Sequence, residues 1–104
     1  MMLIVAGTLS VDPERRDEFL AQRLPGTVAA RSETGCLEHV LSADPFDPGR
    51  LLVFERWASA DDLTKHLAAA RPQSVDSARV PVLGSDLVTY EVGASGPLNV
   101  PTGS

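Results

Sequence analysis

Between Gly35 and His66 the sequence sets a carboxylate, an indole and two imidazoles among apolar residues: Cys36-Leu37-Glu38-His39, then Phe54-Glu55-Arg56-Trp57-Ala58-Ser59, then His66. Polar groups interleaved with an apolar pattern mark a pocket, because burying them is costly unless they gain a partner. The chemistry within reach of these groups is proton transfer beside an aromatic ligand. An imidazole exchanges protons near neutrality, a carboxylate can orient it, and an indole offers one N–H beside a flat apolar face. His66 is the first candidate for a general base, since it lies one helical turn from Leu63 on an apolar helix face. Its other reading is a half-buried histidine hydrogen-bonded to a carboxylate such as Glu55. Glu55 shares a strand face with Leu51, Val53 and Trp57, so it needs a partner, either His66 or Arg56 of another subunit. His39 shares a face with Leu37 and Leu41 and could line the same pocket.

The elements that must position these groups are set by periodicity and end signals. Leu3 to Leu9 reads as a strand buried on both faces. Asp12 then offers an N-cap, with Pro13 and Glu14 suited to the first turn of a helix. Phe19, Leu20, Leu24 and Val28 form its apolar stripe, and Pro25-Gly26 predicts a kink or two helical pieces. After Gly35, strands over Cys36 to Ala43 and Arg50 to Ala58 flank Asp44-Pro45-Phe46-Asp47-Pro48-Gly49, a turn of hairpin length, so they should pair antiparallel. Ser59, with Asp62 three positions on, caps a second helix carrying Leu63, His66, Leu67 and Ala70 on one face, and Arg71-Pro72 stops it. Gln73 to Ser85 reads as a linker with room for one helical turn, Asp86 to Val92 as a last strand, and 94–104 as a tail.

The order strand, helix, strand, strand, helix, strand is ferredoxin-like α+β, with both helices on one face of a four-stranded antiparallel sheet in a single domain over residues 1–93. The opposite face needs a cover. Leu52 and Phe54 alternate with Leu51 and Val53, so an apolar patch would face water in a monomer. A homodimer packed sheet against sheet removes it, as a dimeric α+β barrel.

Composition excludes several classes. The 104 residues carry nine basic and fourteen acidic side chains for a net charge of −5, with no basic run to meet nucleic acid or anionic lipid. Met1 to Gly7 is too short for a signal segment and lacks a basic flank, so a cytoplasmic protein with no membrane contact is expected. The single cysteine, Cys36, forms no internal disulfide and reads as a small buried residue, and no Cys or His stands at metal-ligand spacing along the chain, so no metal site is expected.

Over roughly residues 2–93 the chain resembles the antibiotic biosynthesis monooxygenase family. The marks are Glu33-Thr34-Gly35-Cys36-Leu37, Asp44-Pro45 with Asp47-Pro48, Phe54-Glu55-Arg56-Trp57, and Asp61-Asp62-Leu63 with His66-Leu67. The resemblance implies a homodimer with a cavity between sheet and helices in each subunit. It also implies oxidation of a phenolic aromatic, an anthrone or quinol, to a quinone with molecular oxygen as co-substrate and no metal or flavin cofactor. By the same resemblance, Trp57 matches a tryptophan whose N–H is directed at substrate oxygen, and His39 stands where many relatives carry tyrosine. The expected site is then catalytic His66 and Trp57, with Glu55, His39, Leu63 and Phe54 contacting substrate. The packing alternative for Trp57, a large residue with its N–H satisfied locally, stays open. Haem-degrading relatives have asparagine, tryptophan and histidine where this chain has Thr8, His66 and Asp76, so haem degradation is not expected. Anthrone oxygenases often carry a tyrosine where this chain has Leu63, which leaves His66 or a substrate hydroxyl to accept the proton. Two other functions fit the same pocket: an isomerase or cyclase that enolises a polyketide-like substrate without oxygen, and a dimer that binds a small ligand without turnover.

Overall fold

A computed structural model describes residues 1–70, 78–101 and 103. Its regular elements are β1 (Leu3–Ser10), a 3-10 turn (Pro13–Arg15), α1 (Arg16–Arg31), β2 (Cys36–Ala43), β3 (Arg50–Trp57), α2 (Ala60–Ala69) and β4 (Gly84–Glu91). The four strands form one antiparallel sheet in the order β2-β3-β1-β4, the ferredoxin-like arrangement expected from the element order. Arg71 and Pro72, expected to end the second helix, the first part of the expected linker from Gln73, and Asp76 of the haem comparison lie outside the described residues.

The elements begin where their local chemistry says they should, with two refinements, one being that β4 starts at Gly84 and not at Asp86. Asp12 accepts a hydrogen bond from the Glu14 N–H at 3.0 Å, but what it caps is the 3-10 turn, and the α-helix proper starts at Arg16. Ser59 caps α2, accepting from the Asp62 N–H at 3.2 Å while its hydroxyl donates to Asp62 Oδ2 at 2.9 Å. The β2–β3 turn is closed by Asp44, whose carboxylate accepts from the Phe46 N–H at 2.8 Å and from Arg50 Nε at 2.7 Å. Gly35 lets the chain leave α1 for β2 at φ 81°, where a side chain would also strike Asp62.

Four expectations about packing change. α1 is one continuous helix through Pro25, not two pieces. The N–H that proline lacks would have served Ala21, and both residues are exposed or half-exposed at the surface, so water can satisfy that carbonyl. The helix also turns a different face to the sheet: Phe19 and Ala30 are fully buried, whereas Leu24 and Val28 are 60% and 58% exposed. At about 100° per residue, Arg23, Gly26 and Ala30 fall within roughly 40° of Phe19, while Leu24 and Val28 stand roughly 140° and 180° away. On β1 the buried positions are Leu3 and Val5 on one face, so that strand is not buried on both. Leu67 on α2 is likewise exposed, and Leu63 is the residue that anchors that helix.

The core lies between sheet and helices in two clusters. Leu3, Val5, Trp57 and Leu63, with Cys36 against them, form one. Val11, Phe19, Leu51 and Val80, flanked by Leu9, Leu20 and Leu41, form the other. Val80 joins through Gln22 on α1, whose amide accepts from the Val80 N–H at 2.9 Å and donates to the Ala78 carbonyl at 2.8 Å. Along the inner face of β3 the residues run Leu51, Val53, Glu55, Trp57, so Glu55 sits between the two clusters.

Candidate active site

The register of the sheet assembles the site. His39 on β2 stands directly opposite Glu55 on β3, and Leu41 opposite Val53, all on the helix-facing side. From above, Leu63 seats α2 on Trp57, Leu3 and Val5. His66, one turn on, is thereby brought over the His39–Glu55 pair, with its ring 4.6 Å from the Trp57 ring at a 33° tilt and 5.5 Å from the His39 ring, edge on. His39, Glu55 and His66 each offer a donor atom within 4.8 Å of the others.

Each polar group has a distinct environment. The Trp57 indole is fully buried and its Nε1–H donates to Glu55 Oε1 at 2.9 Å. His66 Nδ1 lies 2.9 Å from Glu33 Oε2, and because an ionised carboxylate only accepts, Nδ1 is assigned the proton, which in the neutral ring leaves the lone pair on Nε2. Glu33, at the end of α1, is thus the carboxylate that orients His66, and Glu55 is not. His39 Nδ1 is buried with no hydrogen-bond partner among the described residues, and Nε2 stands 3.6 Å from Glu55 Oε2, longer than a hydrogen bond. Burial pushes the His39 pKa down, opposed by Glu55 and reinforced by His66, so the ring favours its neutral form. Burial also pushes the Cys36 thiol up, with Glu33 and Glu55 adding to the effect, which disfavours the thiolate a nucleophile needs.

Beside this group opens a cavity of about 230 Å³. Phe19, Leu41, Val53 and Leu87 supply apolar wall, and His39, Glu55, His66 and Arg23 supply its polar edge. The Arg23 guanidinium sits 4.9 Å over the Phe19 ring, a cation held against an aromatic face at the cavity rim.

Residues 2–73 match the sequence profile of the antibiotic biosynthesis monooxygenase family. The chain belongs to that family. A proposed antibiotic biosynthesis monooxygenase from Deinococcus radiodurans is 28% identical and superposes with a TM-score of 0.74 over 92% of this chain and 97% of that one. Another, from Caulobacter crescentus, is 33% identical with a TM-score of 0.59 over 62% of each chain. An uncharacterized protein of Synechocystis sp. is 31% identical over 64 residues, 62% of this chain and 44% of that protein, so the chain spans less than half the length of that curated relative.

Within this antibiotic biosynthesis monooxygenase fold the expected site residues divide. His39, Glu55 and His66 come together at the cavity. Trp57, Leu63 and Phe54 do not line it. Trp57 lies beneath His66 with its N–H already committed to Glu55, Leu63 is core, and Phe54 points to the other side of the sheet because side chains alternate along β3. Arg23, Glu33 and Phe19 were missed as site residues. Phe19 and Arg23 stand one turn apart on α1, a pairing that the stripe through Leu24 and Val28 conceals, and Glu33 lies in a turn where no periodicity operates. The sequence grouped the two histidines and the glutamate at one pocket, but spacing along the chain could not show that strand register and helix placement bring their donor atoms within 4.8 Å of one another. No helix among the described residues is long and apolar enough to cross a membrane.

Proposed function

We propose that the protein is a cofactor-independent monooxygenase that oxidises a compact phenolic aromatic, an anthrone or quinol, to a quinone with O2. The observation that carries this reading is the His66 imidazole, held at Nδ1 by Glu33 with Nε2 left as base, on the edge of a largely apolar cavity. Nε2 takes a proton from the ring CH2 of an anthrone or from the hydroxyl of a quinol, and the resulting anion is reducing enough to pass an electron to O2. Recombination at the ring carbon gives a substrate peroxide, and loss of water leaves the carbonyl. For an anthrone, the ring CH2 and O2 give the quinone carbonyl and H2O, the substrate supplying the electrons, so the reaction needs no bound flavin or metal. Arg23 at the rim, with no carboxylate of the described residues among the groups acting on it, is suited to stabilise the anion as it forms. At about 230 Å³ the cavity lies just below the roughly 300–1,000 Å³ usual for ligand pockets, which favours a compact ring system over an extended chain.

The same proposal includes a homodimer. On the outer face of the sheet Val40, Phe54, Ala6 and Val88 form one cross-strand row. Leu52, Phe54, Val88 and Tyr90 are between 37% and 52% exposed there, and burying that face against a second copy removes an unfavourable apolar surface. Sedimentation of the wild type and Phe54→Glu tests it: a dimer that dissociates in the variant is expected, and a wild-type monomer refutes it.

Oxygen uptake with a panel of anthrones and hydroquinones, read beside quinone absorbance, tests the chemistry. Uptake equal to quinone formed from an anthrone, and reduced at least about a hundredfold in His66→Ala, is expected for loss of a general base. Substrate turnover without oxygen uptake would show enolisation alone, and uptake unchanged in His66→Ala would remove His66 from the mechanism.

A further inference from the structure

The geometry points to a second capacity of the same corner of the molecule: His39, Glu55 and His66 form a binding site for one divalent first-row transition ion. Three observations converge. First, the donors are already near coordination geometry. His39 Nε2 and Glu55 Oε2 are 3.6 Å apart, and two ligands on a tetrahedral ion at about 2.1 Å stand about 3.4 Å from each other. The donor atoms of all three lie within 4.8 Å of one another, so reaching the roughly 3.4 Å of tetrahedral ligation takes a movement of at most about 1.4 Å.

Second, two of the three donors, His66 and Glu55, have the outer hydrogen bonds that metal ligands require. Glu33 holds the N–H of His66, leaving the opposite lone pair to coordinate, and the Trp57 N–H holds one oxygen of Glu55, leaving the other. Such outer hydrogen bonds fix the orientation of ligating imidazoles and carboxylates. Third, His39 is a half-buried imidazole with a nitrogen that lacks any partner among the described residues and another 3.6 Å from a carboxylate. Its Nε2 makes no hydrogen bond among the described residues, and a cation there gives the ring a partner on that side, while Nδ1 keeps none. Two nitrogens and one oxygen suit Zn2+ or Fe2+, and three protein ligands leave a coordination position open toward the cavity.

The consequence for activity rests on the reading of His66 as the base. One lone pair cannot hold a metal and accept a proton, so ion binding and substrate deprotonation exclude each other, and the ion acts as an inhibitor. Binding itself does not depend on that reading.

The test uses the full chain stripped with chelator and titrated with Zn2+ by calorimetry and with Co2+ by visible absorption and fluorescence. Trp57 is the chain's single tryptophan and its ring lies 4.6 Å from His66, so Co2+ in the site quenches its emission. One ion per chain is expected, with affinity about tenfold or more weaker in His39→Ala and in Glu55→Gln. The glutamine variant retains an acceptor for the indole, and the alanine variant leaves the Trp57–Glu55 contact untouched, so at least one reports on a folded chain. Absence of Zn2+ heat and Co2+ bands, or binding unaltered in His39→Ala, overturns the site. Saturating Zn2+ should abolish oxygen uptake and chelator should restore it. Binding with uptake unchanged overturns the shared-imidazole consequence, while a chain that oxidises nothing yet binds Zn2+ as described defeats the proposed reaction and leaves the metal site standing.

Discussion

Replacing Trp57 by Phe separates two roles for the indole. If its N–H were reserved for substrate, the change would cost catalysis and little stability. In the structure that N–H is committed to Glu55 Oε1 at 2.9 Å inside the protein, on a fully buried ring. Removing it leaves a half-buried carboxylate oxygen without its donor, and hydrogen bonds to charged groups contribute about 1.5–3 kcal/mol. The smaller ring also leaves a void of roughly 40 Å³, worth about 1 kcal/mol at about 24 cal/mol per Å³. The expected loss is therefore about 3 kcal/mol, or a fall in Tm of roughly 10–20 °C for a domain of this size. Urea unfolding followed by far-UV circular dichroism measures it, because the variant has no tryptophan to report by fluorescence, with protomer concentration held fixed and chelator present. In a Glu55→Leu background the same substitution should cost only the void, about 1 kcal/mol, giving a coupling energy of about 2 kcal/mol between the two side chains. A Trp57→Phe protein within about 0.5 kcal/mol of wild type, with oxidation lost, would refute the reasoning and return the indole N–H to the substrate.

Other expected outcomes concern single positions. Gly7 has φ 151° and a Cβ there would collide with the Asp86 carbonyl of β4, so Gly7→Ala should destabilise by about 3 kcal/mol or more in the same unfolding assay. A Cβ at Gly26 meets no atom within 4 Å, so Gly26→Ala should raise stability by about 0.5–1 kcal/mol through helix propensity. Gly26→Leu, by contrast, should fill the cavity and raise KM at unchanged or higher Tm, which thermal melts and kinetics read together. Asp44 is held below the usual carboxylate range by the Phe46 N–H and then by Arg50. Its folded pKa is the lower one, so its contribution is present above the unfolded value near about 3.9 and is lost as pH falls through the folded one. Urea midpoints measured from pH 6 to pH 2 should decline less steeply at the acid end in Asp44→Asn than in wild type.

What could be read from the chain before its structure, and what could not, depends on the range of each interaction. Strand alternation at Leu51, Val53, Glu55 and Trp57, the cap at Ser59 and the prolines of the Asp44–Gly49 turn are local, and with them came the strands, the second helix and the topology. The buried face of α1 was misread because four apolar residues lie close to helical spacing, while the face that packs is marked only by Phe19, a glycine and small residues around an arginine. Partner choice among the polar groups is long-range and could not be assigned. Two carboxylates compete for two ring donors: Glu55, fixed in the register of β3, is two residues from Trp57 on the same face and takes its N–H, whereas Glu33, thirty-three residues from His66, reaches it only because α1 ends beside α2. That division leaves no carboxylate within hydrogen-bond length of His39 among the described residues, although register places it opposite Glu55. An imidazole left over by its neighbours, on the wall of a cavity and facing the imidazole that serves as base, is the place where this site has bonding capacity to spare, and the proposed ion draws on it.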